Sequence, residues 1–196
     1  MAIYTQLSEN NLKEFFSKYN LGKIISYHGI KEGIENTNYF IQTEKNKFIL
    51  TIYERRVDKK DLPFFIGLMK NLFNSNFPSP EPIINKNGSY ITEILGKKAA
   101  VVSFLNGSTK KNLTPANCYD VGMNTAKLHI ITKNLSVRRE NRLSVTAWRK
   151  IYQKIKNDCS KIHKDLPLVI ERNLDVIEKT WPKNIPSGII HADLFP

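Results

Sequence analysis

The sequence predicts an α+β chain of two lobes, a β-rich amino-terminal lobe at 1–104 and a helical lobe at 105–196. Strand-like segments dominate before Leu105, whereas apolar residues at helical spacing dominate after it. The change falls at Leu105-Asn106-Gly107-Ser108, a composition typical of a turn. A chain of 196 residues is long enough to give both lobes a core.

The first element is a helix, for which Ser8 is placed as the N-cap. Apolar residues follow at helical spacing: Leu12, Phe15, Phe16 and Tyr19. Asn20-Leu21-Gly22 is predicted to end this helix. Strands are then predicted at 23–27, 38–43 and 47–53, the last two joined by the hairpin turn Glu44-Lys45-Asn46.

A second helix is predicted to begin at Asp61, which is placed to cap it, with Pro63 in its first turn. Its apolar face comprises Leu62, Phe65, Ile66, Met69 and Phe73. Three prolines between 77 and 82 then force an extended connection. Ile83-Ile84 and 90–93 are predicted to form a hairpin about the turn 85–88, and 99–104 a buried strand.

The second lobe begins with a helix from Pro115 to about Ile131, capped by Thr114. Two further helices are predicted at about 145–163 and 167–180, and Trp181-Pro182 ends the last one. A short strand is expected at Ile189-Ile190. Trp148 and Trp181 are expected to pack within the protein rather than against a ligand.

The formal charge of +12 invites a nucleic-acid interpretation, but the basic residues are dispersed and no nucleic-acid-binding motif occurs. We therefore expect a solvated basic surface and no nucleic-acid partner. No apolar run is long enough to span a membrane, and the first residues do not resemble a signal peptide. Cys118 and Cys159 have no metal-ligand spacing, which favours a reducing, cytoplasmic location.

The connection between the first two predicted strands, 28–38, is the first candidate site. Gly29 and Gly33 would let the backbone approach a ligand and turn N–H groups towards phosphate oxygens, with Asn36 and Asn38 supporting the turn. The same residues also fit an ordinary Gly/Asn-rich hairpin. The chain has no P-loop sequence.

The segment Val102-Ser103-Phe104-Leu105 is the second candidate. It follows the last strand of the first lobe, the position at which two-lobed kinases hold adenine through backbone groups. A buried strand followed by a turn would have the same sequence character.

The third candidate is His191-Ala192-Asp193, which follows Gly188-Ile189-Ile190. A short apolar run ending in His-x-Asp resembles the start of the catalytic loop in the protein-kinase-like fold. Asp193 would orient a substrate hydroxyl and accept its proton, and His191 would brace the loop by hydrogen bonding. The tripeptide by itself also fits a chance loop.

These features occur in one order: β-rich lobe, glycine loop, proline-rich connector, hinge, helices and His-x-Asp. In that order the chain resembles the homoserine kinases of the aminoglycoside phosphotransferase/choline kinase superfamily, over its whole length. The matching stretches are 29–40, 48–57, 61–65 and 188–196. The fold implied is protein-kinase-like and two-lobed, with a β-rich N-lobe and a truncated helical C-lobe.

The resemblance implies transfer of the γ-phosphoryl group of ATP to the hydroxyl of L-homoserine, with Mg2+, in threonine biosynthesis. It implies Asp193 as the catalytic base, with His191 beside it. The nucleotide-binding residues it implies are Gly29, Gly33, Asn36, Asn38, Thr51, Ser103 and Phe104. No metal ligand is assigned, because the Asn of the catalytic loop and the later Asp would fall beyond Pro196.

The chain is therefore expected to be the N-terminal portion of such an enzyme and inactive alone. It also departs from the kinase pattern: Thr51 stands where a third-strand Lys is usual, and Lys47, Arg55 or Arg56 would have to replace that cation. For the usual helical Glu partner, Asp61 is the nearest acidic residue.

Two alternatives remain open from the sequence. The same fold could act on another hydroxyl acceptor, such as choline, methylthioribose or an aminoglycoside. A non-catalytic kinase lobe could instead bind a nucleotide or a partner. The sequence does not predict the oligomeric state.

Overall fold

An antiparallel sheet organises the first part of the chain in the computed structural model, which describes residues 3–33, 35–54, 57–108, 110 and 112–194. The five strands are β1 (Ile24–Ile30), β2 (Thr37–Thr43), β3 (Lys47–Ile52), β4 (Ile91–Ile94) and β5 (Lys97–Ser103). Their spatial order is β1-β2-β3-β5-β4, with every neighbouring pair antiparallel. The strands predicted at 23–27, 38–43, 47–53 and 99–104 are thereby confirmed, within a few residues at their ends.

Alternation along the strands gives the sheet two different faces. In β2, Thr37, Tyr39, Ile41 and Thr43 are buried, while the residues between them are half-buried. The buried face packs against helix α1 (Glu9–Phe16) through a single apolar core. Its central members include Leu12, Phe15, Ile41, Leu50 and Ile52.

Helix α1 begins as its sequence predicts. Ser8 and Asn11 form a capping box, in which each side chain accepts a hydrogen bond from the other residue's backbone N–H. The helix ends at Phe16, before the predicted Asn20-Leu21-Gly22. Tyr19 nevertheless packs on Phe15, with ring centroids 5.5 Å apart, so the apolar pattern continues past the last helical turn.

Helix α2 (Leu62–Asn74) carries Pro63 in its first turn, as predicted. Asp61 occupies the N-cap position, but its side chain makes no capping hydrogen bond, so its predicted capping role was wrong. The backbone explains this, because Asp61 has helical torsion angles (φ −83°, ψ −15°) and ends a preceding 3-10 turn at Lys59–Asp61. An N-cap side chain reaches the first-turn N–H groups from an extended backbone instead.

The hairpin predicted between Ile83-Ile84 and 90–93 was also wrong. Both segments pair with β5: Ile83 donates its N–H to the Val101 carbonyl at 2.9 Å, and β4 pairs with residues 97–100. The turn at 85–89 does form, because the Asn85 side chain accepts hydrogen bonds from the N–H groups of Asn87 and Ser89, each at 2.9 Å.

The actual hairpin joins β4 to β5 through a two-residue turn, Leu95-Gly96. Both turn residues have positive φ, +48° for Leu95 and +72° for Gly96. Positive φ at both central positions is the backbone of a type I′ turn, the geometry that suits the twist of two adjoining strands.

Helix α3 (Pro115–Thr132) begins with Thr114 and Asn117 in a capping box, which confirms the predicted start. It belongs to one compact unit with the sheet, α1, α2 and the residues from Gly188 onwards. Ile189 and Ile190, both within the described residues, form no strand, so the short strand predicted there was wrong. The predicted lobe boundary at 104/105 stays a prediction.

The second compact unit, Arg139–Ser187, is a helical hairpin of α4 (Val145–Ile162) and α5 (Leu166–Thr180). Tyr152, Cys159 and Leu174 form its small core. Trp148 and Trp181 meet edge to face, with ring centroids 5.5 Å apart, so the two rings pack on each other as expected, while Trp181 stays 42% exposed. Arg149 bridges the helices by donating to Asp175 and Glu178 at 2.7–2.9 Å.

Both cysteines are free, Cys118 exposed on α3 and Cys159 buried. No helix in the described part of the chain is long and apolar enough to cross a membrane.

Candidate active site

The less buried face of the sheet brings several of the predicted nucleotide-binding residues together. Asn38 lies directly opposite Thr51 in the β2–β3 pairing, and the Thr51 hydroxyl donates to Asn38 Oδ1 at 2.8 Å. Ala100 of β5 continues the same row on the other side of Thr51. Residues directly opposite each other point to the same side of a sheet, so this row forms one surface.

An aromatic cluster lies beside that row on the same face. His28 stacks on Phe40 with ring centroids 4.9 Å apart, and Phe104 meets Phe40 edge to face at 5.2 Å. The cluster joins β1 and β2 to the residue that follows β5. Sequence reasoning missed Phe40, although its place between the buried Tyr39 and Ile41 of a strand assigns it to the opposite, less buried face.

Thr51 is neutral and hydrogen-bonded where the third-strand cation was expected. Among the substitutes considered, Lys47 is exposed at the start of β3, and its side chain forms no ion pair with a described residue. Arg55 and Arg56 lie outside the described residues. The source of a phosphate-neutralising cation therefore stays a prediction.

The two glycines of the candidate loop have different surroundings. Gly29 lies within β1 rather than in the turn, and a Cβ there would stand 2.4 Å from Cδ1 of Ile3. Gly33 lies in the turn with φ +95°, and nothing stands within 4 Å of where its Cβ would be. A positive φ favours glycine, so Gly33 is the glycine that the turn itself requires.

Asn36 holds the far end of this turn. Its Oδ1 accepts a hydrogen bond from the backbone N–H of Glu54 at 3.3 Å. Asn38 thus accepts a hydrogen bond from Thr51 of β3, and Asn36 accepts one from Glu54, which follows β3. Both amides therefore support the turn through contacts inside the protein.

Glu54, which follows β3, has a mostly buried carboxylate. Its side chain is only 9% exposed and forms an ion pair with Lys97. It also accepts hydrogen bonds from the hydroxyls of Thr5 (2.6 Å) and Thr37 (2.8 Å). Burial would raise the pKa of the Glu54 carboxyl, but the hydrogen bonds from Lys97, Thr5 and Thr37 outweigh it and hold that pKa below its ordinary value.

No sequence pattern predicts this ion pair. Lys97 and Glu54 are 43 positions apart, and β3 and β5 become neighbours only in the folded sheet. Their positions in the sequence and their opposite charges are not enough to predict that the two side chains meet.

In the predicted hinge, the backbone N–H groups of Ser103 and Phe104 already donate hydrogen bonds to other parts of the protein. Ser103 donates its N–H to the Glu81 carbonyl at 2.9 Å, and the Ser103 hydroxyl accepts from the N–H of Glu81 at 2.8 Å. Phe104 donates its N–H to the Lys47 carbonyl at 3.1 Å. Any adenine contact at this segment would therefore use its other backbone groups.

The His-x-Asp segment lies near α3 in the same compact unit. His191 and Asp193 are both exposed, and Ala192 between them has φ +63°, in the left-handed region. The bracing hydrogen bond expected from His191 is not formed with any described residue. His191 instead lines a cavity of about 260 Å³ with Leu194, Phe77 and residues 120–128 of α3.

The described residues contain no group of three or more His, Cys, Asp or Glu side chains placed to hold a metal ion. Nor does a hydrogen bond between described residues connect His191 or Asp193 to the residues of the sheet. The arrangement thus consists of a polar and aromatic sheet face with a glycine turn, and a separate exposed loop carrying one carboxylate.

The sequence was compared with protein-family models and with curated proteins. The family model described as the phosphotransferase enzyme family matches residues 26–196. The chain is 41% identical over 196 residues to a homoserine kinase of Paramagnetospirillum magneticum, covering 100% of this chain and 60% of the relative. It is 40% identical over 196 residues to a homoserine kinase of Xanthobacter autotrophicus, covering 61% of that relative. The chain thus spans about 60% of the length of these curated relatives.

Solved structures show the same fold at low sequence identity. A spectinomycin phosphotransferase in complex with ADP and spectinomycin has a TM-score of 0.66 and 16% identity, covering 97% of this chain and 64% of that one. An amicoumacin kinase in complex with AMP-PNP and Ca2+ has a TM-score of 0.68 and 17% identity, covering 96% and 59%. These likenesses confirm the protein-kinase-like fold class predicted from the sequence. With strands, glycine turn and His-x-Asp segment all inside the matched residues 26–196, the chain belongs to the phosphotransferase enzyme family.

Proposed function

We propose that the protein represented by this chain transfers the γ-phosphoryl group of ATP to the hydroxyl of L-homoserine, a step towards threonine. The observation that carries this proposal is the 41% identity with a curated homoserine kinase over all 196 residues. The neighbours named for spectinomycin and amicoumacin are only 16–17% identical, so they support the fold and favour no acceptor.

In this proposal Asp193 accepts the proton of the attacking hydroxyl late in phosphoryl transfer. Its side chain is exposed, so a substrate hydroxyl can reach it. His191 sets the start of the loop beside the α3 cavity. In this proposal His191 forms part of the wall of that cavity and takes no part in proton transfer.

The sheet face is the proposed nucleotide site. Gly33 lets the turn approach the phosphates without a side chain in the way, and Asn36 and Asn38 hold that turn through their hydrogen bonds. Gly29 acts beneath it by accommodating Ile3. At the hinge, adenine would contact the remaining backbone groups after Ser103 and the apolar surface of Phe104 and its neighbour Phe40.

Magnesium is the ion we propose to accompany ATP. When bound, it neutralises charge on the transferring phosphates. Such ions are held largely by the phosphates and by one or two carboxylates, so a cluster of three protein ligands is not needed. We assign no described residue as its ligand.

We propose a cytoplasmic location, supported by the two free cysteines. Unpaired thiols, one of them exposed, suit a reducing compartment.

The test is an acceptor panel with the full-length protein. Purified enzyme, ATP and Mg2+ are incubated with L-homoserine, choline, methylthioribose or an aminoglycoside, and ADP release and the phosphorylated product are both measured. We expect O-phosphohomoserine, with kcat/KM for L-homoserine at least about a hundredfold above the others. A higher kcat/KM for another acceptor would transfer the proposal to that acceptor.

The same preparation also tests the non-catalytic alternative. Nucleotide binding without phosphorylation of any acceptor would overturn the enzymatic proposal and favour a binding lobe. Loss of transfer in an Asp193→Asn variant shows that the activity comes from this protein and not from a contaminant.

A further inference from the structure

The residues before α1 lie across the end of the sheet at which β1 ends and β2 begins. We propose that residues 3–5, joined to the sheet through Thr37 and Glu54, position the β1–β2 turn and thereby set nucleotide affinity. This inference rests on the proposed nucleotide site, and it assigns positioning roles to residues that touch no substrate.

The first contact is at the end of β1. The Ile3 side chain occupies the space beside Gly29 that a Cβ would fill, at 2.4 Å from the ideal Cβ position. Any larger residue at 29 would have to displace Ile3. Ile3 therefore bears directly on the strand that leads into the turn.

The second contact is at the start of β2. The Thr37 hydroxyl accepts hydrogen bonds from the N–H groups of Tyr4 (3.0 Å) and Thr5 (3.2 Å). The same hydroxyl donates to Glu54 Oε1 at 2.8 Å. Thr37 is fully buried and is the first residue of β2, so these bonds fix the point at which the turn ends.

Glu54 connects this point to the turn. Its carboxylate also binds the Thr5 hydroxyl and Lys97, while its backbone N–H donates to Asn36. The segment is further tied down by Tyr39, whose hydroxyl donates to the Thr5 carbonyl at 2.9 Å and accepts from the N–H of Leu7 at 3.0 Å.

Both ends of the turn are thus held by the same short segment, Ile3 at one end and Tyr4 and Thr5 at the other. Replacing a buried ionic and hydroxyl network of this kind with apolar packing is often neutral or favourable for stability alone. This network links the N-terminal segment to both sides of one turn. Because buried polar groups accept few alternative arrangements, the network also restricts the positions that the turn can adopt.

The test compares two matched substitutions of buried threonines in the same sheet, Thr37→Val and Thr92→Val. Thr92 is equally a hydrogen-bonded threonine, binding Tyr19 and Asn85, but it lies in β4 away from the turn. Each full-length variant is measured for unfolding free energy, for ADP affinity by calorimetry, and for amide order parameters of Gly33 and Asn36.

We expect Thr37→Val to weaken ADP binding about threefold to tenfold and to lower the order parameters of Gly33 and Asn36. Thr92→Val should lose stability comparably and leave both readouts unchanged. Equal effects of the two variants, or unchanged order parameters in Thr37→Val, would overturn the proposal. If the unaltered protein binds no ADP, the proposed function fails, while the order parameters still decide whether the segment positions the turn.

A second substitution guards against poor folding of Thr37→Val. Ile3→Ala removes the contact with Gly29 without touching a buried hydroxyl, and it should reproduce the effect on Gly33. Order parameters in Ile3→Ala that match the unaltered protein would contradict the assigned role of Ile3.

Discussion

Thr51 donates its hydroxyl hydrogen to Asn38 Oδ1 at 2.8 Å, across the pairing of β3 with β2. Both side chains are half-buried and lie on the sheet face that also presents Phe40. A neutral hydrogen bond thus occupies the position where kinases usually place a lysine. The face is held together by a bond between uncharged groups, so in the proposed nucleotide site the charge that neutralises phosphate would have to come from other residues.

A double-mutant cycle should detect this bond. Thr51→Val and Asn38→Ala are each expected to lower the unfolding free energy, with a coupling of about 0.5–1.5 kcal/mol, because either change alone removes the same hydrogen bond. Denaturant unfolding followed by far-UV circular dichroism measures it. Thr51→Val paired with Asn85→Ala serves as the control, since Asn85 bonds to a different threonine and the two effects should add. Additivity in the Thr51/Asn38 cycle would contradict the bond.

Removing the charge of Glu54 should destabilise the sheet. Glu54→Gln is expected to lower the unfolding free energy by about 1–3 kcal/mol, because it breaks a mostly buried ion pair and leaves Lys97 half-exposed without its partner. Glu93→Gln is the matched control, because the Glu93–Lys98 pair is exposed and should contribute little. Similar losses in the two variants would show that burial of Glu54 has no special effect.

The same carboxylate predicts a pH dependence. Its pKa lies below the ordinary value of 4.5 in the folded chain, so its contribution to stability is complete above that pH and is lost as the pH falls through the folded pKa. The stability difference between the unaltered protein and Glu54→Gln should be constant from pH 7 to about pH 5 and shrink in more acidic solution. Chemical unfolding at several pH values measures this difference. A difference that grows on acidification would mean that the folded pKa is raised instead.

The β4–β5 turn offers a stabilising substitution. Leu95 has φ +48° and is 57% exposed, so it bears the strain of a left-handed backbone without contributing much to a core. Leu95→Asn should raise the unfolding free energy by about 0.5–1 kcal/mol, because asparagine adopts this conformation more readily. Leu113→Asn, at a leucine exposed to a similar extent but without positive φ, should give no gain. Thermal unfolding of both variants measures the effect. Equal changes in melting temperature for Leu95→Asn and Leu113→Asn would contradict the assigned role of φ.

Asp193 is expected to matter for turnover rather than for binding. In the full-length protein, Asp193→Asn should lower kcat by about a hundredfold or more while changing the affinity for ATP little, because the carboxylate is proposed to act on the acceptor hydroxyl. Steady-state kinetics with L-homoserine and ATP separate the two effects. Asp158→Asn, at an exposed carboxylate paired with Lys161, should leave both constants unchanged. An unchanged kcat in Asp193→Asn would refute the role of catalytic base.

Local patterns account for the elements that the sequence predicted well. Ser8 and Thr114 each accept a hydrogen bond from an N–H group in the first turn of their own helix. A segment of four residues is therefore enough to predict where each helix begins. The β2–β3 hairpin likewise follows from alternation on both sides of a short polar turn. At the candidate site, the same patterns placed Asn38 on β2 and Thr51 on β3 but did not indicate that the two side chains meet.

Other features depend on residues that are distant in the sequence or unusual in their setting. Leu95 gave no turn signal because leucine rarely adopts positive φ, and the hairpin was assigned to Ile83-Ile84 instead. The Glu54 network joins residues near the N-terminus, in β2, after β3 and in β5, and only the folded sheet brings them into contact.

The edge-to-face contact of Trp148 and Trp181 has a practical consequence for studying this chain. The sequence has only these two tryptophans, and both lie in the unit Arg139–Ser187. Intrinsic tryptophan emission therefore originates in the unit that contains the α4–α5 hairpin and not in the sheet. Recorded together with circular dichroism in one denaturant titration, it would separate the melting of the hairpin from that of the sheet without any label.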